Sequence, residues 1–263
     1  SSEIIFTSGA TEANNLAIIG AARQNRQNGN HIITLKTEHK AVLDTCESLE
    51  KEGFSVSYLD VQKDGIIDLD KLESAIKSET ILISIMHGNN EIGVIQPVAK
   101  IGKLCKSKGI LFHVDAAQSV GKLSINVDEM GIDLLSISAH KMYGPKGIGC
   151  LYVRRENPRV QLKAIIFGGG HERGLRSGTL PVPLIVGFGE TCRICQESMI
   201  DESAKITKLR DRFLNGLNDQ LDNIKVNGSL VHRLPGNLNI TFNSTNGESM
   251  IMGLTDIAFL PLI

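Results

Sequence analysis

Short runs of apolar and β-branched residues alternate along the chain with longer segments whose apolar residues recur at helical spacing. The short runs predict strands at residues 4–7, 31–36, 54–61, 81–87, 110–116, 134–139 and 149–154. The periodic segments predict helices at residues 11–27, 40–52, 68–78 and 98–108. Regular alternation of this kind is typical of an α/β fold, so we expect a mostly parallel sheet with helices on both faces.

The alternation stops near Pro181, where prolines punctuate the chain and a long helix is predicted to run to about residue 221. A strand at residues 237–243 and a short helix at residues 248–254 follow. We therefore predict a large domain at residues 1–180. Residues 181–263 would supply the long helix and part of a smaller α+β domain.

Composition narrows the classes of partner. The 263 residues carry a net charge of −1, so no charge excess favours nucleic acid or an anionic membrane as a partner. No apolar run in the sequence approaches the ~20 residues that a membrane helix needs. The five cysteines are odd in number and scattered, which favours a reducing compartment over a disulfide framework. Cys192 and Cys195 share a predicted helix without a second cysteine pair, so we expect neither a disulfide nor a metal site there.

Unusual polar residues follow several of the predicted strands, at the sheet edge where open α/β sheets bind ligands. The segment 7–12 joins the first strand to the first helix. Gly9 allows close approach to the backbone, Thr11 supplies a hydroxyl, and a helix start favours an anion such as phosphate. The alternative is an ordinary helix start capped by Thr11.

Two further strand ends carry groups that suit a flat, charged ligand. Asp115 ends the strand at 110–116 and could hold a protonated ring nitrogen through a charge-assisted hydrogen bond, or it could be a helix cap or loop acid. His39 follows the strand at 31–36 and could stack on a ring and move protons, or it could be structural. We interpret His31, His113 and His232 as structural, because their spacing suits no metal.

The segment 136–145 is the most informative. Lys141 follows an apolar strand, where we expect it to be withdrawn from water and able to form a Schiff base. A lysine that snorkels from the strand end is the alternative. Ser138 and His140 could donate to an anion. A phosphate cradle, a ring-nitrogen acid, a Schiff-base lysine and a stacking histidine together describe one cofactor, pyridoxal 5′-phosphate.

Seven motifs carry a resemblance to a known family: TSGATEANNLAI, TEHKAVL, MHGNNEIG, HVDAAQ, SISAHKMYGPKGIG, GGGHERGLRSGTLP and RLPGNLNITF. With these motifs, the sequence resembles the cysteine desulfurases of the IscS/NifS type from Ser2 to about Ala258. These are fold-type I pyridoxal-phosphate enzymes with the aspartate-aminotransferase fold.

The resemblance implies roles for the candidate residues. Lys141 would form the Schiff base, and His39 would stack on the ring and assist proton transfer. Asp115 would pair with the pyridine nitrogen and Gln118 with the phenolic oxygen, while Asn90 would touch cofactor and substrate.

The implied phosphate ligands come from two subunits of a homodimer. The loop at residues 168–179 is long, polar and glycine-rich, and it is costly to order without a ligand or partner. The residues implied to hold the phosphate are Ala10, Thr11, Ser138 and His140 of one subunit and Thr179 of the other.

The activity implied by the resemblance is removal of sulfur from L-cysteine, which gives L-alanine and a protein persulfide. The sulfur would pass to an iron–sulfur scaffold and other acceptor proteins, for cluster assembly and tRNA thiolation. A cytoplasmic location is implied, or the mitochondrial matrix in a eukaryote.

The sequence departs from the family pattern at both ends. The family has a further N-terminal segment, and its nucleophilic cysteine lies in a Ser/Gly/Cys-rich loop just after the position of Ala258. Residues 256–263 read DIAFLPLI instead, and none of the five cysteines matches that position; the family's arginine for the substrate carboxylate also lies beyond it. We therefore expect the chain as given to lack its nucleophile, through truncation, a frameshift or genuine loss, and to be inactive.

Two alternatives to a desulfurase remain open. One is another pyridoxal-phosphate enzyme, such as a selenocysteine lyase or an aminotransferase, although HVDAAQ and GGGHERGLRSGTLP favour the desulfurases. The other is a non-catalytic remnant or dimer partner.

Overall fold

The computed structural model describes residues 2–243 and 247–254. Its main sheet has seven strands: β1 (Ile4–Thr7), β2 (His31–Leu35), β3 (Ser55–Leu59), β4 (Thr80–Ser84), β5 (Leu111–Asp115), β6 (Leu134–Ser138) and β7 (Gly149–Val153). The strand order is β1-β7-β6-β5-β4-β2-β3. Strand β7 runs antiparallel to β1 and β6, and the other neighbouring pairs are parallel. The mostly parallel sheet expected from the sequence is confirmed.

The helices are α1 (Ala10–Gln24), α2 (Lys40–Lys51), α3 (Leu69–Ala75), α4 (Val98–Lys108), α5 (Val182–Gln220) and α6 (Gly247–Gly253). Short 3-10 turns lie at Ala139–Met142 and Glu172–Gly174. A second, two-stranded antiparallel sheet pairs β8 (Ile224–Val226) with β9 (Ile240–Phe242). The division into domains at residue 180 stays a prediction.

The main sheet is covered on both faces, because neighbouring strand residues point into different cores. Ile32 packs in a cluster with Leu16 of α1 and Val42 of α2. Ile33, the next residue, packs in a second cluster with Leu72 of α3 and with residues of α4. All residues of β2 and β4 are buried, which explains why their sequences are apolar without alternation.

The structure differs from the sequence expectations in two places that matter. The strand predicted at 134–139 ends at Ser138, because the chain turns into the 3-10 segment Ala139–Met142, which ends at Tyr143 with φ 63°. The strand predicted at 237–243 is reduced to β9, and its partner β8 was not predicted because three residues are too few for a period to register. The remaining helix and strand ends differ by three residues or fewer, as at Gln24 against 27.

Helix α5 is 39 residues long and largely exposed. Its first turns pack on the 3-10 segment after β6, where Phe188 shares a buried cluster with Ala139 and Met142. Within the described residues, no helix combines the length and the apolar composition that crossing a bilayer requires.

A buried polar chain crosses the sheet through His113. Its Nδ1 lies 2.8 Å from Ser84 Oγ and its Nε2 lies 2.9 Å from Ser136 Oγ. Burial lowers the pKa of His113 from its ordinary 6.5 to about 3. The folded protein therefore keeps this imidazole neutral at pH values where the unfolded chain takes up a proton.

We predict that this difference contributes to acid sensitivity. The contribution to stability is complete above pH 6.5 and is lost as pH falls from 6.5 towards 3, because only the unfolded chain binds the proton there. In urea unfolding between pH 6 and 4, His113→Asn should flatten the fall in unfolding free energy by up to about 1.4 kcal/mol per pH unit. His232→Asn, at an exposed position, is the control. Equal slopes in all three proteins would contradict the prediction.

Candidate active site

The turn between β1 and α1 leaves the start of α1 open. Gly9 is the N-cap, with φ 156° and ψ −176°, a conformation that favours glycine, and it makes no side-chain cap bond. Thr11 is therefore not the cap; it is the second helical residue and is exposed. With Ala10 and Thr11 at the first two positions, the free N–H groups of an uncapped helix start are available to an anion.

Strand β7 packs against this turn, and β6 with the 3-10 turn after it brings further donors. A Cβ on Gly149 of β7 would lie 2.8 Å from Gly9 Cα, so β7 passes directly beneath the turn. Ser138 Oγ lies 3.8 Å from the position of a Cβ on Gly9, and it is 2.8 Å from His140 Nδ1. Burial and then the charges of Lys141 and Lys146 lower the pKa of His140. The start of α1, Ser138 and His140 together form what we call the phosphate cradle. It combines neutral donors with nearby ammonium groups, an arrangement that suits a phosphate.

Asp115 ends β5 as a buried carboxyl group without an ion-pair partner among the described residues. Its Oδ1 accepts from Ala117 N at 2.9 Å and its Oδ2 from Asn14 Nδ2 at 2.7 Å. Burial raises the pKa of Asp115, although these two bonds and the charge of His39 act in the opposite direction. A buried carboxylate of this kind would be stabilised by a cationic group of a ligand.

Two buried polar atoms among the described residues lack a hydrogen-bond partner, Asn14 Oδ1 and His87 Nδ1. Both residues are bonded to Asp115, because the His87 backbone N–H donates to Asp115 O at 2.9 Å. Burial also lowers the pKa of His87 to about 4. Unsatisfied polar atoms are costly inside a protein, and both of these belong to residues that are hydrogen-bonded to Asp115, so we read this end of β5 as a candidate binding site.

His39 has a structural role as well as a position at the site. It is the N-cap of α2, and its Nδ1 accepts from Ala41 N at 3.0 Å. Because Nδ1 accepts, the proton of the neutral ring sits on Nε2, and the exposed side chain can donate it outwards. The structural and catalytic interpretations of His39 are therefore compatible.

Glu38, next to His39, was not singled out in the sequence. Both carboxyl oxygens accept from Met86 N, at 2.9 and 3.1 Å, and thereby join the loop after β2 to the end of β4. Burial raises the pKa of Glu38 well above its usual value, and the charge of Asp115 acts in the same direction. An acidic residue three positions after a fully buried strand was the signal that could have found it.

Lys141 lies in the 3-10 turn after β6 and is exposed. The expectation that it is withdrawn from water is wrong for this structure, because the turn carries it out of the apolar layers at the end of the sheet. It has no hydrogen-bond or ion-pair partner among the described residues. The amine is therefore accessible to a ligand, and the strand order places the end of β6 between the turn after β1 and Asp115 of β5.

A cavity of about 340 Å³ opens beside these groups. Asn90 and Gln118, both expected from the sequence, line it together with Lys122 and Tyr143. Burial and then the charge of Lys141 lower the pKa of Lys122, whose Nζ is 3.4 Å from Gln118 Oε1. Lys122 was not predicted, because it lies seven residues beyond the end of β5, outside any predicted strand or helix. The volume suits a small amino acid.

The opposite wall of the cavity comes from α5 and residues 234–237. Backbone hydrogen bonds hold that segment to the loop after β4: Ile95 N donates to His232 O at 2.9 Å and Leu234 N to Gly93 O at 2.8 Å. Residues far apart in sequence thus close the cavity.

Thr179 is the one expected residue that neither lies within four residues of the end of a strand of the main sheet nor lines the cavity. It is exposed on the loop at residues 168–179, and that loop packs against β1 and α1 of its own chain. The structure holds a single chain, so the expected contact of Thr179 with a partner subunit stays a prediction.

All five cysteines lie in regular elements: Cys46 in α2, Cys105 in α4, Cys150 in β7, and Cys192 and Cys195 in α5. The first three are buried, and burial raises the pKa of the Cys46 and Cys150 thiols to about 12 and also raises that of Cys105. Burial also raises the pKa values of Cys192 and Cys195. None of these environments favours a thiolate.

Comparison with known proteins gives a consistent result. The family model described as Aminotransferase class-V matches residues 1–258. Curated relatives include the cysteine desulfurase IscS of Pasteurella multocida, 63% identical over 258 residues, and that of Mannheimia succiniciproducens, 62% identical. Each alignment covers 98% of this chain, which spans 63% of the length of these relatives.

Solved structures agree with the sequence comparison. DndA from Streptomyces lividans is 41% identical with a TM-score of 0.88, and the alignment covers 97% of this chain and 72% of that one. A NifS-like protein is 39% identical with a TM-score of 0.89, covering 95% and 67%. The structure described as SspA in complex with cysteine is 43% identical with a TM-score of 0.80, covering 97% and 70%.

Proposed function

Because the chain belongs to the class-V aminotransferase family, we propose that it uses pyridoxal 5′-phosphate as a cysteine desulfurase. The reaction removes sulfur from L-cysteine and leaves L-alanine and a protein persulfide. One observation carries the proposal: an anion cradle, an accessible lysine and a buried unpaired carboxyl group lie together at the carboxyl edge of the sheet.

The residues present fit each part of the cofactor. The uncapped start of α1, with Ser138 and His140, suits the phosphate. Asp115 suits the pyridine nitrogen, because a protonated ring would supply the cation that the buried carboxylate lacks. Lys141 Nζ suits the aldehyde carbon. The cofactor supplies an electron sink for the carbanion chemistry of an amino acid.

The chain's own groups position the substrate and move protons. Lys141 Nζ and His39 Nε2 are the groups that would give and take protons at the substrate carbon atoms. Gln118 and Asn90 line the cavity and would orient cofactor and substrate through their amides. L-Cysteine as substrate is supported by the names of the relatives and by the solved complex of SspA with cysteine.

The sulfur step needs a thiolate that reaches the substrate. The five cysteines do not suit this role, because they lie in regular elements and burial raises their pKa values. The segment after Ala258, which carries the nucleophile in the family pattern, lies outside the described residues. Since the chain spans 63% of its curated relatives, desulfurase activity is proposed for the protein with a family-type cysteine loop.

The chemistry of the five cysteines favours a second candidate function for the 263-residue chain itself. It would bind the cofactor without turnover, as a non-catalytic remnant or dimer partner. A selenocysteine lyase or another aminotransferase-type activity is the remaining alternative, and none of the relatives compared above carries such a name.

We propose the subunit arrangement, the sulfur acceptors and the cellular location that the sequence resemblance implies. We expect a homodimer in which Thr179 reaches the phosphate of the partner, with delivery of sulfur to an iron–sulfur scaffold and to acceptors for tRNA thiolation. A cytoplasmic location, or the mitochondrial matrix in a eukaryote, is part of the same proposal. The name that the relatives carry, cysteine desulfurase IscS, supports the sulfur-donating activity, and the dimer, the acceptors and the location rest on the resemblance of the sequence motifs.

Cofactor attachment at Lys141 is the first prediction of the proposed function. Titration with pyridoxal 5′-phosphate should give a visible absorption band, and borohydride should fix one cofactor on the peptide that contains Lys141. Lys141→Ala should abolish both signals, because it removes the exposed amine that follows β6, between the α1 turn and Asp115 in the order of the strands. Lys146→Ala removes a nearby lysine and should retain both. An unchanged band in Lys141→Ala would refute the assignment.

The second prediction separates an electronic role of Asp115 from a structural one. Asp115→Asn removes the charge that keeps the ring nitrogen protonated, so the visible band and its pH dependence should shift. The unliganded protein should lose little stability, because the charge is unpaired. Asp133→Asn, which loses a partner of Arg154, should lower the melting temperature and leave the spectrum unchanged. The reverse pattern would make Asp115 a structural acid.

The third prediction concerns turnover. The 263-residue chain, loaded with cofactor and given L-cysteine and a reductant, should release no more sulfide than Lys141→Ala. A loop and small-domain segment taken from the P. multocida relative and placed after Ala258 should restore release, because they supply a mobile thiolate. Sulfide from the chain itself that depends on Lys141 would put one of the five cysteines in the site.

A further inference from the structure

The loop at residues 168–179 is anchored to the first strand of its own chain. Strand β1 is at the edge of the sheet, where backbone groups would otherwise lack partners. Phe6 N donates to Glu172 Oε2 at 3.1 Å, and Arg173 Nη2 donates to Ile4 O at 2.7 Å. The loop therefore covers the free edge of the strand that leads into the phosphate cradle.

A third contact joins this loop to the cradle. Arg176 makes a two-point ion pair with Glu12 of α1, with Nε to Oε1 at 2.6 Å and Nη2 to Oε2 at 3.2 Å. The side chains are only 17% and 12% exposed, so water screens the pair weakly. Arg176 stands three residues before Thr179, and Glu12 follows Thr11 directly.

Glu12 has a second task at the same place. Its Oε2 accepts from Ser8 N at 2.8 Å, which holds the residue before Gly9 and fixes the turn. This places a carboxylate beside a site built for a phosphate. Burial acts to raise the pKa of Glu12, but the bonds from Arg176 and Ser8 outweigh it and keep the pKa below its usual value. The carboxylate therefore stays charged and needs a local counter-charge.

We propose that Arg176 is a positioning residue for the cofactor phosphate. It neutralises the Glu12 carboxylate beside the cradle, and it ties the loop that carries Thr179 to the start of α1. This inference rests on the proposed function for the identity of the ligand. In the Arg176–Glu12 pair, the positive charge of Arg176 allows Glu12 to hold the turn without repelling the phosphate.

The Arg176–Glu12 pair could instead act only as a mechanical clamp that holds the loop to α1. Substitution of both residues distinguishes the two roles by its effect on phosphate affinity. Removing Arg176 alone leaves an uncompensated carboxylate next to the phosphate, so binding should weaken. Removing both charges eliminates the repulsion, so binding should recover although the clamp is still broken. A clamp without an electrostatic task predicts no recovery.

The test measures the dissociation constants of pyridoxal 5′-phosphate, pyridoxal and inorganic phosphate for five proteins. These are the wild type, Arg176→Gln, Glu12→Gln, the double variant and Arg193→Gln. Arg193 is the matched control because it pairs with Glu190 and Glu197 on the exposed face of α5. Melting temperatures of the unliganded proteins report whether each variant is folded.

The expected result is specific to the phosphate. Arg176→Gln should bind pyridoxal 5′-phosphate and inorganic phosphate about tenfold more weakly, as one uncompensated charge implies, with pyridoxal little affected. The dissociation constants of the double variant should return to within about threefold of the wild-type values. Those of Arg193→Gln should equal the wild-type values. Arg176→Lys should recover part of the affinity, because it restores the charge without the two-point geometry.

Two outcomes would overturn the inference. One is unchanged phosphate affinity in Arg176→Gln, and the other is a double variant as weak as Arg176→Gln. Failure of wild type and Arg193→Gln to bind pyridoxal 5′-phosphate, while inorganic phosphate still follows the expected order, would instead overturn the proposed function and leave the ion-pair inference standing.

Discussion

The site depends on one buried carboxyl group, that of Asp115, which has no ion-pair partner among the residues that the structure describes. Asp115 is placed at the end of β5, where the sheet edge opens, and each of its oxygens accepts one hydrogen bond from the protein. Those bonds do not compensate for burial, because its pKa remains raised. Two neighbouring residues, Asn14 and His87, also carry unsatisfied polar atoms. The fold therefore holds an arrangement that a cationic ligand would stabilise, and the other groups are arranged around that requirement.

The groups that suit an anion and the group that suits a cation lie at different positions along the carboxyl edge of the sheet. At the β1 and β6 end, neutral donors form the phosphate cradle, and the ion pair of Glu12 with Arg176 removes a charge that would oppose the phosphate. At the β5 end, Asp115 offers the complementary charge for a ring nitrogen. Lys141 and the cavity with Lys122 lie between and beside them. A cofactor with an anionic phosphate at one end and a cationic ring nitrogen at the other would match both the phosphate cradle and Asp115.

The sequence predicted the parallel core and most of the candidate site for a simple physical reason. Strands buried on both faces must be apolar, so polar residues directly after them stand out, and Asp115, His39 and Ser138 were found in this way. The 3-10 turn that exposes Lys141 was not predicted, because four residues give no periodic signal.

Partners that are distant in sequence could not be predicted either. Asn14 reaches Asp115 across 101 residues and Arg176 reaches Glu12 across 164, and both pairings arise only when the sheet brings the elements together. Strand β8 depends in the same way on its pairing with β9. Tertiary contacts, rather than local propensity, determine these features.

The most direct test is an NMR titration of the Asp115 carboxyl carbon, assigned by comparison with Asp115→Asn. It would be followed in the unliganded protein and in the protein loaded with pyridoxal 5′-phosphate. The account predicts a pKa above the ordinary 3.8 in the unliganded protein and a marked fall when the cofactor is bound, because the protonated ring then stabilises the carboxylate. The same pKa in both states would show that Asp115 does not meet the ring nitrogen, and would contradict the account.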